Sequence, residues 1–291
     1  MMAERQKTTA PHEVETTGHE WDGIQELNNP LPRWWLWTFY VTVIWSIGYW
    51  IVMPAWPLVS SYTEGMLGHT SRKAVMAELS QAKSAQSKYL DRIRVSSLEK
   101  IRSNRELLEF SLAGGRSAFM VNCSQCHGSG AAGFKGYPNL NDDDWLWGGS
   151  LKSIQTTILH GIRFNRDEKT RQSPMPRFLL DGILKESQIN DVAEYVLSLS
   201  KTSADAAASK RGQKIFIEQC AACHGPSGEG KAELGAPRLS DPIWLYGGDK
   251  AAVVTSISNS RGGVMPGWRN VLAPETIKQL TIYVHSLGGG K

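Results

Sequence analysis

Cys123-Ser124-Gln125-Cys126-His127 recurs 97 residues later as Cys220-Ala221-Ala222-Cys223-His224, and these two pentapeptides use all four cysteines of the 291-residue chain. Two thiols separated by two residues suit addition to the two vinyl groups of one haem, and the histidine that follows is placed to ligate the iron from one face. Other uses of a Cys-x-x-Cys pair fit less well. A zinc ribbon wants its second pair about 15–20 residues on, whereas Cys220 lies 94 positions after Cys126. A thioredoxin-like redox pair wants a strand–helix context, and no apolar β-run precedes either site. A disulfide framework gives no reason for a histidine after both pairs. The motifs predict two covalently bound haems c, one on Cys123 and Cys126 and one on Cys220 and Cys223, with His127 and His224 on the irons.

The likeness between the two halves extends beyond the cysteines. Pro138-Asn139-Leu140 matches Pro237-Arg238-Leu239, Trp145 matches Trp244, and Tyr195-Val196 matches Tyr283-Val284. In each copy an opening helix leads to the haem motif, Gly/Pro-rich loops follow, and a closing helix carries apolar residues at helical spacing. No hairpin signal stands out in either copy. The pattern predicts an all-α protein with two tandem haem domains, residues 113–202 and 203–291. Each is so short that its haem has to complete the core.

An electron-transfer haem keeps its iron six-coordinate, commonly with His and a Met thioether. Beyond each haem histidine its copy contains a single methionine: Met175 in Ser173-Pro174-Met175-Pro176, and Met265 in Gly263-Val264-Met265-Pro266. Turn residues surround both, which is a poor setting for core filler. With each repeat taken as a self-contained pocket, Met175 pairs with His127 and Met265 with His224. Ligation exchanged between repeats, with Met265 serving the first haem, is the alternative left open. The carbonyls of Pro138 and Pro237 are candidate acceptors for the second ring N–H of each histidine. Arg163, Arg177, Arg238, Trp145 and Trp244 are candidates for holding propionates. Asp142-Asp143-Asp144 reads as a helix N-terminal cap, or else as a contact for a basic donor protein.

Upstream, residues 1–33 carry 3 basic against 6 acidic side chains and read as a polar, mostly disordered tail. No charged residue occurs from Trp34 to Val59, a run of 26 positions with Trp34, Trp35 and Trp37 at one end and Trp50 and Trp56 at the other. About 20 apolar residues cross a bilayer, so residues 34–59 are expected to form one transmembrane anchor between aromatic belts. A cleaved signal peptide would have a shorter apolar stretch and a small-residue exit site. Residues 60–112 read as a helical connector, rich in charge and free of glycine and proline from 70 to 112. It either lies on a partner or on its own domains, or is a solvated spacer. The scattered basic residues, without a stacking platform, speak against nucleic-acid binding.

Each repeat resembles a class I cytochrome c domain, through Cys-x-x-Cys-His, Pro-x-Leu, the Met-Pro loop and the closing Tyr-Val helix. The chain as a whole resembles the dihaem subunit of cbb3-type cytochrome c oxidases, the CcoP/FixP family. The most discriminating stretch is Trp21-Asp22-Gly23-Ile24-Gln25-Glu26-Leu27-Asn28-Asn29-Pro30-Leu31-Pro32-Arg33-Trp34-Trp35. The resemblance implies a single-pass protein of the bacterial inner membrane, with a cytoplasmic N-terminus and periplasmic haem domains. It implies electron entry from a donor cytochrome c and relay to a monohaem cytochrome c subunit and a catalytic haem-b/copper subunit. That complex reduces dioxygen to water and pumps protons, and this chain carries no catalytic centre of its own. A free-standing dihaem carrier and a dihaem peroxidase-like enzyme are the alternatives. The paired Met-Pro loops weigh against the peroxidase, and the lead-in to the membrane helix weighs against the free carrier.

Overall fold

The computed structural model describes residues 15–288. The chain divides after Ser84 into two compact units. The first begins with a hairpin, β1 (Thr16–Trp21) paired antiparallel with β2 (Ile24–Leu27), Trp21 opposite Ile24. This corrects the expectation of a disordered tail for these residues. Its cause is the two-residue turn Asp22-Gly23, both residues at positive φ (+51° and +81°), which matches the twist of the flanking strands. Residues 1–14 of the expected tail lie outside the described residues.

Helix α1 (Arg33–Val52) starts where the prolines stop. It buries none of its side chains within the protein. At 20 residues it is about 30 Å long, the thickness of a bilayer core. Its few hydroxyls turn back onto the helix: Thr38 donates to the Trp34 carbonyl, Thr42 to Phe39 and Ser46 to Thr42. These three aliphatic hydroxyls therefore need neither water nor an outside partner. The following loop returns to close the helix end, with the N–H groups of Met66 and Leu67 donating to the carbonyls of Ile51 and Val52. Gly65 makes this possible, since at φ +71° a β-carbon there would lie 2.6 Å from the Val52 oxygen.

Helix α2 (Ser71–Val95) is largely exposed until its last turns. There Ile93 is fully buried and Tyr89 stacks on Phe110. Arg94 makes a two-pronged ion pair with Glu275 (2.8 and 3.1 Å), and Lys278 caps the carbonyls of Ile93, Arg94 and Ser96. The connector is thus a solvated helix whose end docks on its own haem domains. Its two alternative readings each describe part of it.

Among the described residues the regular elements of the second unit are all helices, joined by long loops. Helices α3 (Leu98–Ser103) and α4 (Arg105–Asn122) lead into the single turn α5 (Ser124–His127), followed by α6 (Leu151–His160) and α7 (Glu186–Leu199). The second repeat runs α8 (Ala206–Gln219), the turn α9 (Ala221–His224), α10 (Lys250–Asn259) and α11 (Pro274–Leu287). Side-chain caps mark the starts: Asn104 for α4, Ser150 for α6, Asp205 for α8 and Asp249 for α10.

The helices pair across the repeats. The closing helix of the first repeat, α7, packs on α8, and the closing helix of the second, α11, packs on α4 and α6. One core joins Ile189, Val192 and Val196 of α7 to Phe216 of α8 and Val253 and Ile257 of α10. The other joins Ile277, Leu280 and Val284 of α11 to Phe119 of α4 and Ile154 and Ile158 of α6. Both crossings depend on a glycine eight residues before the first haem cysteine. A β-carbon on Gly115 would strike Gln279 and Tyr283 of α11, and one on Gly212 would strike the Asp191 backbone of α7.

A buried carboxylate ties the α7 end of this arrangement together. Glu194, 2 % exposed, accepts from Lys250 of α10 (2.8 Å), from Ser203 (2.7 Å) and from the N–H groups of Ala204 and Asp205. Lys250, then Ser203, hold its pKa at about 2, against an ordinary 4.5. A depressed carboxyl pKa contributes stability that is complete above the unfolded value and is lost as pH falls through the folded one. Acidification from pH 4.5 toward 2 is therefore expected to lower the melting temperature of the α7–α8–α10 core. Glu194→Gln should start lower and respond less over that range, as read by Soret circular dichroism on heating. An equal response in both proteins would remove Glu194 from the acid-sensitive set.

Candidate haem sites

The haem motifs fold alike because each sits at the end of a helix. Cys123 closes α4 and Cys220 closes α8, with almost the same backbone angles (φ −113°, ψ −31° and φ −117°, ψ −33°). The next turn stays helical, so the histidine N–H donates to the first cysteine's carbonyl at 2.9 Å in both copies. This turn puts both cysteines and the histidine on one side of the backbone, the disposition a haem attached by two thioethers requires. A glycine at φ +79°, Gly128 or Gly225, ends each turn.

The histidines are oriented by the expected carbonyls. His127 Nδ1–H donates to Pro138 O (3.2 Å), and His224 Nδ1–H donates to Pro237 O (3.0 Å). A carbonyl only accepts, so Nδ1 carries the proton and the Nε2 lone pair is left for a metal. Burial lowers both imidazole pKa values despite the opposing pull of these hydrogen bonds, which favours the neutral, ligating form. Burial and the neighbouring cysteine push the Cys123 and Cys220 thiols up to about 11. A dithiol redox centre needs a depressed thiol pKa, so this environment is the reverse of a thioredoxin-like one.

Each methionine packs with a haem cysteine of the opposite repeat. Met175 packs against the core that includes Cys220, Leu239 and Trp244, and Met265 against the core that includes Cys123, Leu140 and Trp145. The structure thus brings Met265 together with the His127 motif and Met175 with the His224 motif. The pairing of Met175 with His127 and of Met265 with His224 is not the one it assembles.

The polar groups around these cores also fit a haem. Trp145 Nε1, Trp147 Nε1 and Arg171 Nε are buried donors without a partner, the kind of group a propionate would satisfy. Arg171 stacks on Trp147 (5.2 Å) and donates to Ser153 O (3.1 Å). Its counterpart Arg261 stacks on Tyr246 (5.4 Å) and reaches the carbonyls of Tyr246 and Ala252. Sequence reasoning missed both arginines, although each stands four residues before its methionine.

Of the arginines singled out for propionates, Arg177 is held by Asp181 (2.7 Å) and Arg163 donates to Gly263 O (2.8 Å). Arg238 is exposed, and Trp244 lies against the second core. The three aspartates do not cap a helix, since Ser150 caps α6. Asp142 instead accepts the Asp144 N–H in a tight turn. Burial, together with the charge of Asp241 from the other repeat, raises the pKa values of Asp142 and Asp144.

Three families match successive parts of the chain. Residues 13–60 match the N-terminal domain of cytochrome oxidase-cbb3, FixP; residues 112–200 match cytochrome c; residues 207–284 match cytochrome c oxidase, cbb3-type, subunit III. The chain is 56% identical over 277 residues to the cbb3-type cytochrome c oxidase subunit FixP of Azorhizobium caulinodans, covering 95% of this chain and 94% of that one. The chain belongs to the CcoP/FixP family of cbb3-type cytochrome c oxidase subunits. The CcoP subunit of Azospirillum brasilense is 52% identical over the full length of both chains, and that of Cereibacter sphaeroides is 50% identical over 97% of each. Like other members of the CcoP/FixP family it has two cytochrome c domains and carries covalently bound c-type haem. The Trp21–Trp35 stretch, which includes the hairpin turn and the start of α1, falls inside the FixP-specific match.

Proposed function

We propose that the chain passes single electrons from a donor cytochrome c, through two six-coordinate haems, to the monohaem and catalytic haem-b/copper subunits of a cbb3-type oxidase. The observation that carries this reading is that each of two matched cores gathers a haem-motif cysteine and one methionine, beside a half-buried histidine oriented by a proline carbonyl. Haem bound there supplies a one-electron Fe(III)/Fe(II) couple.

The first site is built by Cys123, Cys126, His127 and Met265, and the second by Cys220, Cys223, His224 and Met175. The protein's part would be to hold the histidine and methionine of each site fixed whichever oxidation state the iron had. A soft thioether favours the reduced metal, and the low-polarity cores disfavour the extra charge of the oxidised one. With His127 and Met265, and His224 and Met175, on the irons, neither site would leave a position for dioxygen, and its reduction would fall to another subunit. Trp147 lies against Gly235 in the second repeat's haem loop, and Tyr246 lies against Gly136 in the first's. These reciprocal aromatic contacts join the two haem loops.

Helix α1 is the membrane anchor in this reading. Thioether attachment of haem takes place outside the bacterial cytoplasmic membrane, which puts residues 60–291 in the periplasm and residues 1–33 in the cytoplasm. The haem domains span residues 113–202 and 203–291 in sequence, with their closing helices exchanged in space.

Purification through a tag on this chain in mild detergent tests the assignment. Haem b, copper and a second c-type subunit are expected to co-elute with it in fixed ratio. A chain that elutes alone with two haems c, from membranes that contain the oxidase, would establish a free-standing carrier instead.

A further inference from the structure

The two methionine loops are matched in one respect and unmatched in another. In both, the segment after the methionine closes the end of a helix from the opposite repeat. Trp268 and Arg269 donate to the carbonyls of Ile158 and Leu159 at the end of α6, and Phe178 and Leu179 donate to those of Ile257 and Ser258 in α10. The approach to the methionine differs. Ile158 precedes Met175 by 17 residues, while the equivalent Ile257 precedes Met265 by 8. The first repeat therefore has nine extra residues, which fall between Gly161 and Arg171.

These extra residues lie along the Met265 loop. Ile162 pairs antiparallel with Met265 through two backbone hydrogen bonds, Ile162 N–H to Met265 O (2.9 Å) and Met265 N–H to Ile162 O (3.0 Å). On its other side Ile162 pairs parallel with Arg171, so the Met265 backbone is one edge of a three-strand contact. Arg163, at φ +51°, reaches over to donate from Nε to Gly263 O (2.8 Å), two residues before the methionine.

The segment is itself closed by Asp167. Its carboxylate is buried and contacts His160 Nδ1 at 2.9 Å, and Arg269 approaches at 3.9 Å. The same carboxylate accepts the Lys169 N–H, and Thr170 Oγ1 accepts the Phe164 N–H. Among the described residues no backbone hydrogen bond involves the N–H or carbonyl of Met175.

We propose that the segment Gly161–Thr170 is a brace that holds Met265 in its ligating position, and that the two iron–sulfur bonds of this protein consequently differ in how readily they open. Ile162 and Arg163 are the positioning residues and Asp167 is the latch. Met175, whose approach is tied across the repeats by Ser173 Oγ donating to Gly235 O at 3.4 Å and by no backbone pairing of its own, yields its coordination position to an outside ligand first. The inference rests on both methionines being iron ligands, as proposed above, but not on which iron each one serves.

Cyanide exchange on the ferric, membrane-extracted full chain tests this. Each methionine–iron bond gives a charge-transfer band in the red that disappears when cyanide takes its place. The band remaining in Met175→Leu belongs to Met265, and the band remaining in Met265→Leu belongs to Met175. The Met265 band is expected to bleach at least about tenfold more slowly, since opening must break three additional hydrogen bonds. In the Met175→Leu background, Asp167→Asn and Arg163→Met should each speed bleaching toward the Met175 rate while two haems per chain are retained. Equal rates in the two single variants, or faster loss of the Met265 band, would overturn the brace even if neither the Asp167 nor the Arg163 variant folds. Absence of a band in both single variants would mean instead that the methionine ligation itself is wrong.

Discussion

In a chain carrying only the second haem, Met175→Leu abolishes the remaining sulfur–iron band and Met265→Leu leaves it intact. Such a chain is made by Cys123→Ala with Cys126→Ala, which removes the first attachment site and preserves Cys220, Cys223 and His224. The reciprocal protein, with Cys220→Ala and Cys223→Ala, should lose its band on Met265→Leu and keep it on Met175→Leu. Met175 is packed in the core that holds Cys220 and Phe216, and Met265 in the core that holds Cys123 and Phe119. The effect expected is complete loss of a band and a fall in that haem's potential, because a soft sulfur ligand no longer favours Fe(II). The opposite pattern, Met175→Leu acting on the Cys123 haem, would restore the self-contained repeat and contradict the packing described above.

Cutting the chain between the repeats gives the other large effect. A fragment of residues 85–202 contains α4 and α6 without α11, and a fragment of residues 203–291 contains α8 and α10 without α7. Each therefore lacks the helix that covers its own haem motif and carries the helix that covers the other's. Exposing Ile277, Leu280 and Val284, or Ile189, Val192 and Val196, forfeits roughly 1.5–3 kcal/mol per large side chain, comparable in sum with the whole stability of a small domain. Expressed singly, the fragments should hold haem without a sulfur–iron band and should aggregate or self-associate. Expressed together, they should form a one-to-one complex with both bands. Size-exclusion chromatography with spectra on each peak checks this. Monomeric single fragments with intact bands would show that each repeat closes on itself.

Much of the chemistry was legible in the sequence, for a simple reason. Covalent haem attachment fixes residue types at fixed spacing, so Cys123, Cys126 and His127 and their repeats carry their meaning locally. The carbonyls of Pro138 and Pro237 could be named because they occupy the same place after each motif, and each accepts from its histidine. The pairing of methionines was hidden by the repeat itself. Helices α7 and α11 share the Tyr-Val signature, so either is a plausible cover for either haem, and similarity cannot say which one the chain path allows.

A signal was nevertheless present. Only the residues 200–205 separate α7 from α8, and helices joined by so short a loop are usually antiparallel neighbours. That link commits α7 to the second site and leaves α11 for the first. The N-terminal hairpin was missed for a different reason. Its strands are short and polar, and only the Asp22-Gly23 pair between Trp21 and Ile24 announces it. Nothing local sets Arg171 and Arg261 apart from the other arginines, and only their shared offset of four residues before each methionine marks them.

The exchange of closing helices also sets an order of assembly. With the haem domains periplasmic, as proposed above, a chain translocated in order from its membrane anchor would present Cys123 for haem attachment well before Pro274–Leu287 had crossed. The site that emerges first is thus the last to be sealed. It waits, open on its sulfur side, until the final helix of the chain arrives, while the site at Cys220 already has its cover helix in place when it emerges. A premature stop anywhere in the last fourteen helical residues would accordingly injure the haem that lies farthest away in sequence and spare the nearer one.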